Sequence, residues 1–303
     1  MIVRVLGSAA GGGFPQLNCA CAMCRLARSG APGVVPRTQT SLAVSADGVR
    51  WAILNASPDL RQQVTQTPAL HPVPSASVRN SPIGAVVLTN GDVDAIAGLL
   101  SLREGFVFDL YAAEPVLEAL AENSIFKVLN PDVVTRRALV PGRPIRVLDD
   151  LIIEAFVVPG KTALYKETSA PDFGTRPGDT IGLEITQPTK GRRVFFIPSC
   201  ARVDDALRTR LEGADVLLFD GTLYRDDEMI AQGLSQKTGA RMGHIAMSGE
   251  SGAIAALAST RVARRVFIHI NNSNPVLDPA SPERRAVEAA GWAIATDGME
   301  LRL

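Results

Sequence analysis

The 303-residue chain carries no surplus of either charge: 31 Lys and Arg stand against 31 Asp and Glu. Without a basic excess or a Lys/Arg run, an extended nucleic-acid footprint is not expected. No apolar stretch approaches the ~18 residues that a membrane-spanning helix requires. The opening run Met1-Ile-Val-Arg-Val-Leu-Gly7 breaks at its glycine and has neither the long apolar core nor the cleavage site of a signal peptide. A cytoplasmic protein with no membrane partner is expected. Internal repeats, low-complexity tracts and linker-like shifts are also lacking, so residues 1–303 read as one domain. Histidine is scarce, with only His71, His244 and His269. Any metal site must draw on these or on carboxylates. Four cysteines are too few for a disulfide scaffold.

What is present is a succession of short β-rich runs broken by turns. Ile2–Leu6, Ser41–Val44, Trp51–Asn55 and Ala85–Leu88 read as strands, followed by helices over Val93–Arg103 and Glu114–Val128. Leu151–Val158, Thr180–Glu184, Arg193–Ile197, Val216–Phe219 and Val266–Ile270 read as further strands. Helices fit Asp204–Glu212, Ser251–Leu257 and Ser281–Ala290, and Ala293–Leu303 looks like a closing hairpin. Mixed elements of this kind favour sheets covered by helices over an all-β sandwich.

Three of the cysteines fall within six residues, Cys19-Ala-Cys21-Ala-Met-Cys24. Thiolates so spaced can converge on one tetrahedral ion, usually zinc, in a structural site. Inert buried thiols are the plainer alternative, and lone Cys200 reads as a small core residue. The loop Leu88-Thr-Asn90-Gly-Asp92-Val-Asp94-Ala95 carries two carboxylates just after a strand, placed to chelate a cation or, alone, to cap the next helix. Asp220 and His269 also stand at strand ends, and His244 follows a glycine. A single strand-end histidine is usually a satisfied core residue. Three strand ends carrying Asp94, Asp220 and His269 suggest one shared open metal position, with Asp92 in reserve and His244 nearby for proton transfer. His71, in a proline-rich loop, reads as a surface residue. The glycines of Gly7–Gly13 lack the spacing of a phosphate loop.

At these residues the sequence resembles the PqqB family of pyrroloquinoline quinone (PQQ) biosynthesis, a distant branch of the metallo-β-lactamase fold superfamily. The shared stretches include Gly7-Ser-Ala-Ala-Gly-Gly-Gly-Phe-Pro15, the cysteine cluster, Asn55-Ala-Ser-Pro-Asp59, Gly98-Leu-Leu-Ser-Leu-Arg-Glu-Gly105, Asp220-Gly-Thr222, Met242-Gly-His244 and Ile268-His-Ile-Asn-Asn272. The resemblance implies an αββα sandwich of two facing mixed sheets with the metal site at one edge. It maps the superfamily's His-x-His-x-Asp-His loop onto Asn90-Gly-Asp92-Val-Asp94-Ala95, so both leading histidines are missing. Asp94 is kept, whereas Ala95 stands where PqqB-like sequences carry His. The later metal Asp corresponds to Asp220 and the final metal His to His269. Relatives with this cysteine cluster close their zinc with a histidine at the position of Asn272, leaving Asn272 or water as fourth ligand.

What the resemblance implies for function is an iron-dependent oxygenase. It would use O2 to hydroxylate the tyrosine ring of a cross-linked Glu–Tyr precursor, as a homodimer with the zinc loop near its interface. Losing the leading histidines removes the first metal position of a dinuclear hydrolase and favours one Fe(II) with open positions. Ala95 predicts weak iron affinity and impaired turnover. Two alternatives are a metallo-hydrolase of the same fold and a PQQ-binding or carrier protein.

Overall fold

Along the strand Ala214–Asp220, Val216 and Leu218 alternate with Leu217 and Phe219, and all four are fully buried. A strand apolar on both faces must lie between two packed layers. The computed structural model, which describes residues 1–74, 77–160 and 177–303, has that layering. Its first sheet holds β1 (Ile2–Gly7), β2 (Ser41–Ser45), β3 (Trp51–Leu54), β4 (Ile83–Val87), β5 (Phe108–Ala113) and β6 (Val134–Leu139) side by side. The second holds β7 (Ile145–Leu148), β8 (Leu151–Val157), β9 (Ile181–Gln187), β10 (Arg192–Ile197), β11 (Ala214–Asp220), β12 (Val262–Ile268) and β13 (Trp292–Ile294). The last strand, β14 (Glu300–Arg302), returns to pair with β1.

Among the described residues each sheet has seven strands, and each runs through three antiparallel pairings followed by three parallel ones. The halves therefore repeat one topology although the sequence carries no repeat. Between the sheets lies an apolar layer built from Val5, Leu54 and Val87 on one side and Leu183, Phe196 and Leu218 on the other. The opposite face of the second sheet packs Leu217, Phe219 and Phe267 against Leu207 and Val287 of the helices Asp205–Leu211 and Pro282–Ala289. That of the first packs Ile53, Val86 and Leu110 against Leu60, Leu99 and Val116. This is the expected αββα sandwich.

Two expectations need correction. Ala293–Leu303 is not a hairpin, because β13 pairs with β12 while β14 pairs with β1. The chain crosses from one sheet to the other between them. The sequence reading also passed over β5, β6 and β7. The helix expected over Val93–Arg103 is an α-turn Val93–Ile96 that continues as the 3-10 segment Ala97–Leu102.

Gly98 fixes where that helix lies. A Cβ there would come within 2.0 Å of the Ser57 carbonyl oxygen and 2.8 Å of the Ala56 oxygen, while the Gly98 N–H donates to Ala56 at 2.8 Å. Backbone cannot yield as a side chain does. Gly98→Ala is expected to lower the urea midpoint by the equivalent of about 2–3 kcal/mol with an unchanged slope. An unaltered midpoint would show that the segment carrying Asp94 is not held by this contact.

Candidate metal centres

The parallel register of β11 and β12 pairs Asp220 with Ile268, so Asp220 and His269 emerge at the same sheet edge. In the other sheet, β4 leads through Leu88-Thr89-Asn90 to Asp92 and Asp94. Ile181 N–H donates to the Thr89 carbonyl at 2.9 Å, joining the two sheets here. His269 has φ of 62°, a left-handed conformation that costs a β-carbon-bearing residue on the order of 1 kcal/mol. The following residue is clamped: Ile270 N–H donates to Ser8 and its carbonyl accepts from Ala10, at 2.9 and 2.8 Å.

These segments line one cavity of about 640 Å³, shared by Asp92, Asp94, Thr222, Lys237, His244 and His269. Asp94 Oδ2 lies 3.0 Å from His269 Nε2. Burial opposes charging either group, but their mutual attraction outweighs it. Asp94 is held below the ordinary carboxylate range and His269 above the ordinary imidazole range. Asp220 is wholly buried and, with His244 and His269, offers ligand-type atoms within 4.8 Å of one another. Its oxygens accept from Thr222 N (3.0 Å), Thr222 Oγ1 (2.7 Å), Cys200 N (2.9 Å) and His244 Nδ1 (2.7 Å). The two imidazoles are near-parallel, with centroids 5.3 Å apart.

Strand-end reasoning thus finds Asp94, Asp220, His244 and His269 together, with Asp92 on the cavity wall. It missed Thr222 and the Cys200 backbone, which act through contacts across 47 and 20 residues that no local motif displays. Cys200 itself is buried, which pushes its thiol up, with Asp220 adding to the effect. His71 is exposed against the Val64 and Thr65 carbonyls, at 3.1 and 3.0 Å. Ala95 is 3% exposed and belongs to the outer apolar layer with Leu6, Ile96 and Leu99.

The cysteine sulfurs form the second cluster found among the described residues, again within 4.8 Å. Cys21 precedes the helix Ala22–Arg28, whose first turn brings Cys24 back toward it. Asn272 closes the fourth side: its Nδ2 lies 3.2, 3.7 and 3.3 Å from Cys19, Cys21 and Cys24 Sγ. The nearly isosteric oxygen of the carboxamide would reach the same point after a half-turn. Burial pushes the Cys21 thiol up to about 11, whereas hydrogen bonds from Cys21 N–H and neighbouring side chains overcome burial at Cys19 and lower it. Three convergent sulfurs with one disposed to ionise fit a zinc ion. The Asp94–His269 edge, with harder oxygen and nitrogen donors and open cavity, fits a second, borderline cation.

A two-sheet sandwich with an Asp/His edge of this kind defines a metallo-β-lactamase-type protein, and the beta-lactamase superfamily domain model matches residues 50–270. The chain is 54% identical over 310 residues to coenzyme PQQ synthesis protein B of Rhodopseudomonas palustris (strain BisB5), covering 100% of both. It is 51% identical over 303 residues, again covering 100% of both, to the protein of the same name from Methylorubrum extorquens (strain AM1). The crystal structure of Zn(2+)-bound PqqB from Methylobacterium extorquens superposes with a TM-score of 0.96 at 51% identity over 100% of each chain. A diphosphatase of the PhnP family, at 20% identity, shares the fold with a TM-score of 0.68 over 100% of this chain and 97% of its own. The chain belongs to the coenzyme PQQ synthesis protein B family. Among the described residues no helix is long and apolar enough to cross a membrane.

Two outcomes follow. Cys21→Ser is expected to release zinc and lower the melting temperature by about 5 °C or more; unchanged zinc content and melting point would exclude a structural site. In metal-free protein, raised His269 stabilises the fold below the ordinary imidazole value near 6.5, and lowered Asp94 does so above the ordinary carboxylate value near 3.9. Both contributions coincide between about pH 4 and 6.5. The His269 contribution fades as pH rises through its raised pKa, and that of Asp94 fades as pH falls through its lowered one. The stability gap between wild type and Asp94→Asn should therefore be wider at pH 5 than at pH 9. Urea midpoints showing an equal gap at both values would contradict the pairing.

Proposed function

We propose that this protein acts in PQQ synthesis as a metal-dependent oxygenase. It holds one Fe(II) where Asp94 and His269 meet and uses O2 to hydroxylate the tyrosine ring of a cross-linked Glu–Tyr precursor. Two things support the synthetic role: identity of 51–54% over the whole chain to proteins named for PQQ synthesis, and the TM-score of 0.96 with a Zn(2+)-bound relative. The observation that carries the metal reading is the convergence of ligand-type atoms of Asp220, His244 and His269 within 4.8 Å of one another, with Asp94 Oδ2 3.0 Å from His269 Nε2 at the cavity wall. When bound, the iron supplies O2 activation. Asp94, Asp220 and His269 would hold it, Asp92 lies in reserve, and the cavity would take the precursor. Asn90 and Asp92 occupy the positions of the missing leading histidines, and without those histidines the first metal position that a dinuclear hydrolase uses to clamp water and leaving group loses its ligands.

The test is O2 uptake coupled to precursor hydroxylation with added Fe(II). Slow turnover is expected here, and Ala95→His should bind iron more tightly and turn over faster. Hydrolysis of phosphodiester or lactam reporters without O2 would replace this reading with a metallo-hydrolase. Tight PQQ binding with no turnover in either protein would replace it with a carrier.

We also propose a cytoplasmic homodimer whose zinc loop supports the two-fold interface. Closely spaced thiols stay reduced in that compartment, and a two-fold contact must use the same patch on both subunits. Light scattering of zinc-loaded protein is expected to give twice the monomer mass. A monomer would end the idea.

A further inference from the structure

Asn272, which closes the cysteine cluster, follows His269 of the cavity edge by only three positions. We infer that the strap 270–274 couples the two metal centres. Filling the cysteines fixes the strap, and the strap positions Asp220 and His269 for their cation. This rests on the metal part of the reading above and not on the PQQ chemistry.

All five residues of the strap are buried, and each is bonded to a neighbour. Toward the cavity, Asn271 lines the wall and donates its N–H to the Thr222 carbonyl at 3.0 Å. Asn274 Nδ2 donates to the Gly221 and Thr222 carbonyls at 3.1 and 3.2 Å. Both carbonyls lie within two residues of Asp220. The strap therefore laces the end of β11 to the end of β12, the two segments that carry Asp220 and His269. Toward the cysteines, Asn272 meets all three sulfurs with its side chain, and the Cys21 thiol donates to its carbonyl at 3.6 Å. Between these contacts, Asn271 Nδ2 and Glu228 Oε1 each lie 2.6 Å from Ser273 Oγ, and Glu228 Oε2 accepts the Tyr224 N–H at 2.8 Å.

Two features give the strap a second state when the cysteines are empty. His269 holds a left-handed backbone, φ 62°, which persists only while its surroundings impose it. Asn272 is held at the sulfurs only by weak acceptors, with contacts of 3.2 to 3.7 Å. A zinc ion bound by the three thiolates draws the cluster onto one point and makes that end of the strap firm. The cavity cation needs the same ordered strap, because it needs Asp220 and His269 in register. Two ligands that select one form assist each other, and each raises the affinity for the other by the same factor.

The experiment uses full-length protein titrated with Mn(II), the unbound ion being followed by electron paramagnetic resonance. Mn(II) favours oxygen ligands over thiolates, so it probes the cavity while one equivalent of zinc fills the cysteines. Protection of Cys19, Cys21 and Cys24 from a thiol reagent reports that filling. Zinc at the cysteines is expected to tighten Mn(II) binding about five- to twentyfold, and saturating Mn(II) to tighten zinc binding by the same factor. Asn274→Ala removes the bonds to Gly221 and Thr222 without altering a ligand. It should keep the thiols protected and bring both factors close to one. Equal Mn(II) affinity with the cysteines empty and filled, in protein folded by circular dichroism in both states, would overturn the inference and leave two independent sites. Absence of Mn(II) binding in every state would overturn the cavity metal reading and the coupling with it. Should zinc-free protein lose its fold, the zinc-filled pair decides. Asn274→Ala must then bind Mn(II) at least about fivefold more weakly than wild type, and equal affinities would overturn the coupling.

Discussion

The Asp220 carboxylate lies fully buried at the end of β11, and a bare charge there would be prohibitive. It is tolerated because four hydrogen-bond donors surround it: the Thr222 amide and hydroxyl, the Cys200 amide and the His244 ring. Those donors come from three separated segments, so the carboxylate ties together the end of β11, the turn after β10 and the loop that carries His244. Thr222 extends the network to His269 at the end of β12. The positions of both imidazoles are thus consequences of satisfying one buried charge. Removing a partner from such a network leaves an uncompensated group, which costs more than the lost bond itself.

The fold supplies the edge at which this happens. Both sheets pass from antiparallel to parallel pairing in the same order, and the parallel portions deliver consecutive strand ends to one side. The helix that carries Asp94 is held against the backbone at Ser57, where only glycine fits at position 98. The loop after β1 passes beside Asp94, with an imagined Gly11 Cβ only 3.5 Å from its Cγ, and bonds to Ile270 next to His269. Ser8 Oγ and the Thr38 amide and hydroxyl, in turn, donate to Asp297 at 2.7, 2.7 and 2.8 Å. Contacts far apart in sequence therefore hold the strained His269 backbone in place.

Much of this was legible in the sequence because it is written locally. The wholly apolar run ending at Asp220, the carboxylates after β4 and the cysteine spacing each announce themselves within a few residues. The resemblance to the PqqB family supplied the sandwich. What stayed hidden depends on distance or on weak contrast. β5 runs straight into the helix Glu114–Glu122 with no turn residue between. β6 lies at a sheet edge with Arg136 and Arg137 in its middle and reads as polar. The short β13 and β14 look like a hairpin because proximity in sequence is all that a local pattern offers. Thr222 looks like an ordinary turn threonine until Asp220, His244 and His269 are seen around it.

The proposed function rests on a cation at the Asp94–His269 edge, separate from the zinc expected at the cysteines. Anomalous diffraction from crystals loaded with Fe(II) under anaerobic conditions tests this most directly, with data collected at the iron and zinc edges. The account predicts an iron peak in the cavity within bonding distance of Asp94 and His269, and a zinc peak among Cys19, Cys21 and Cys24. Iron density absent from the cavity, or seated away from both residues while the cysteine site is filled, would contradict it.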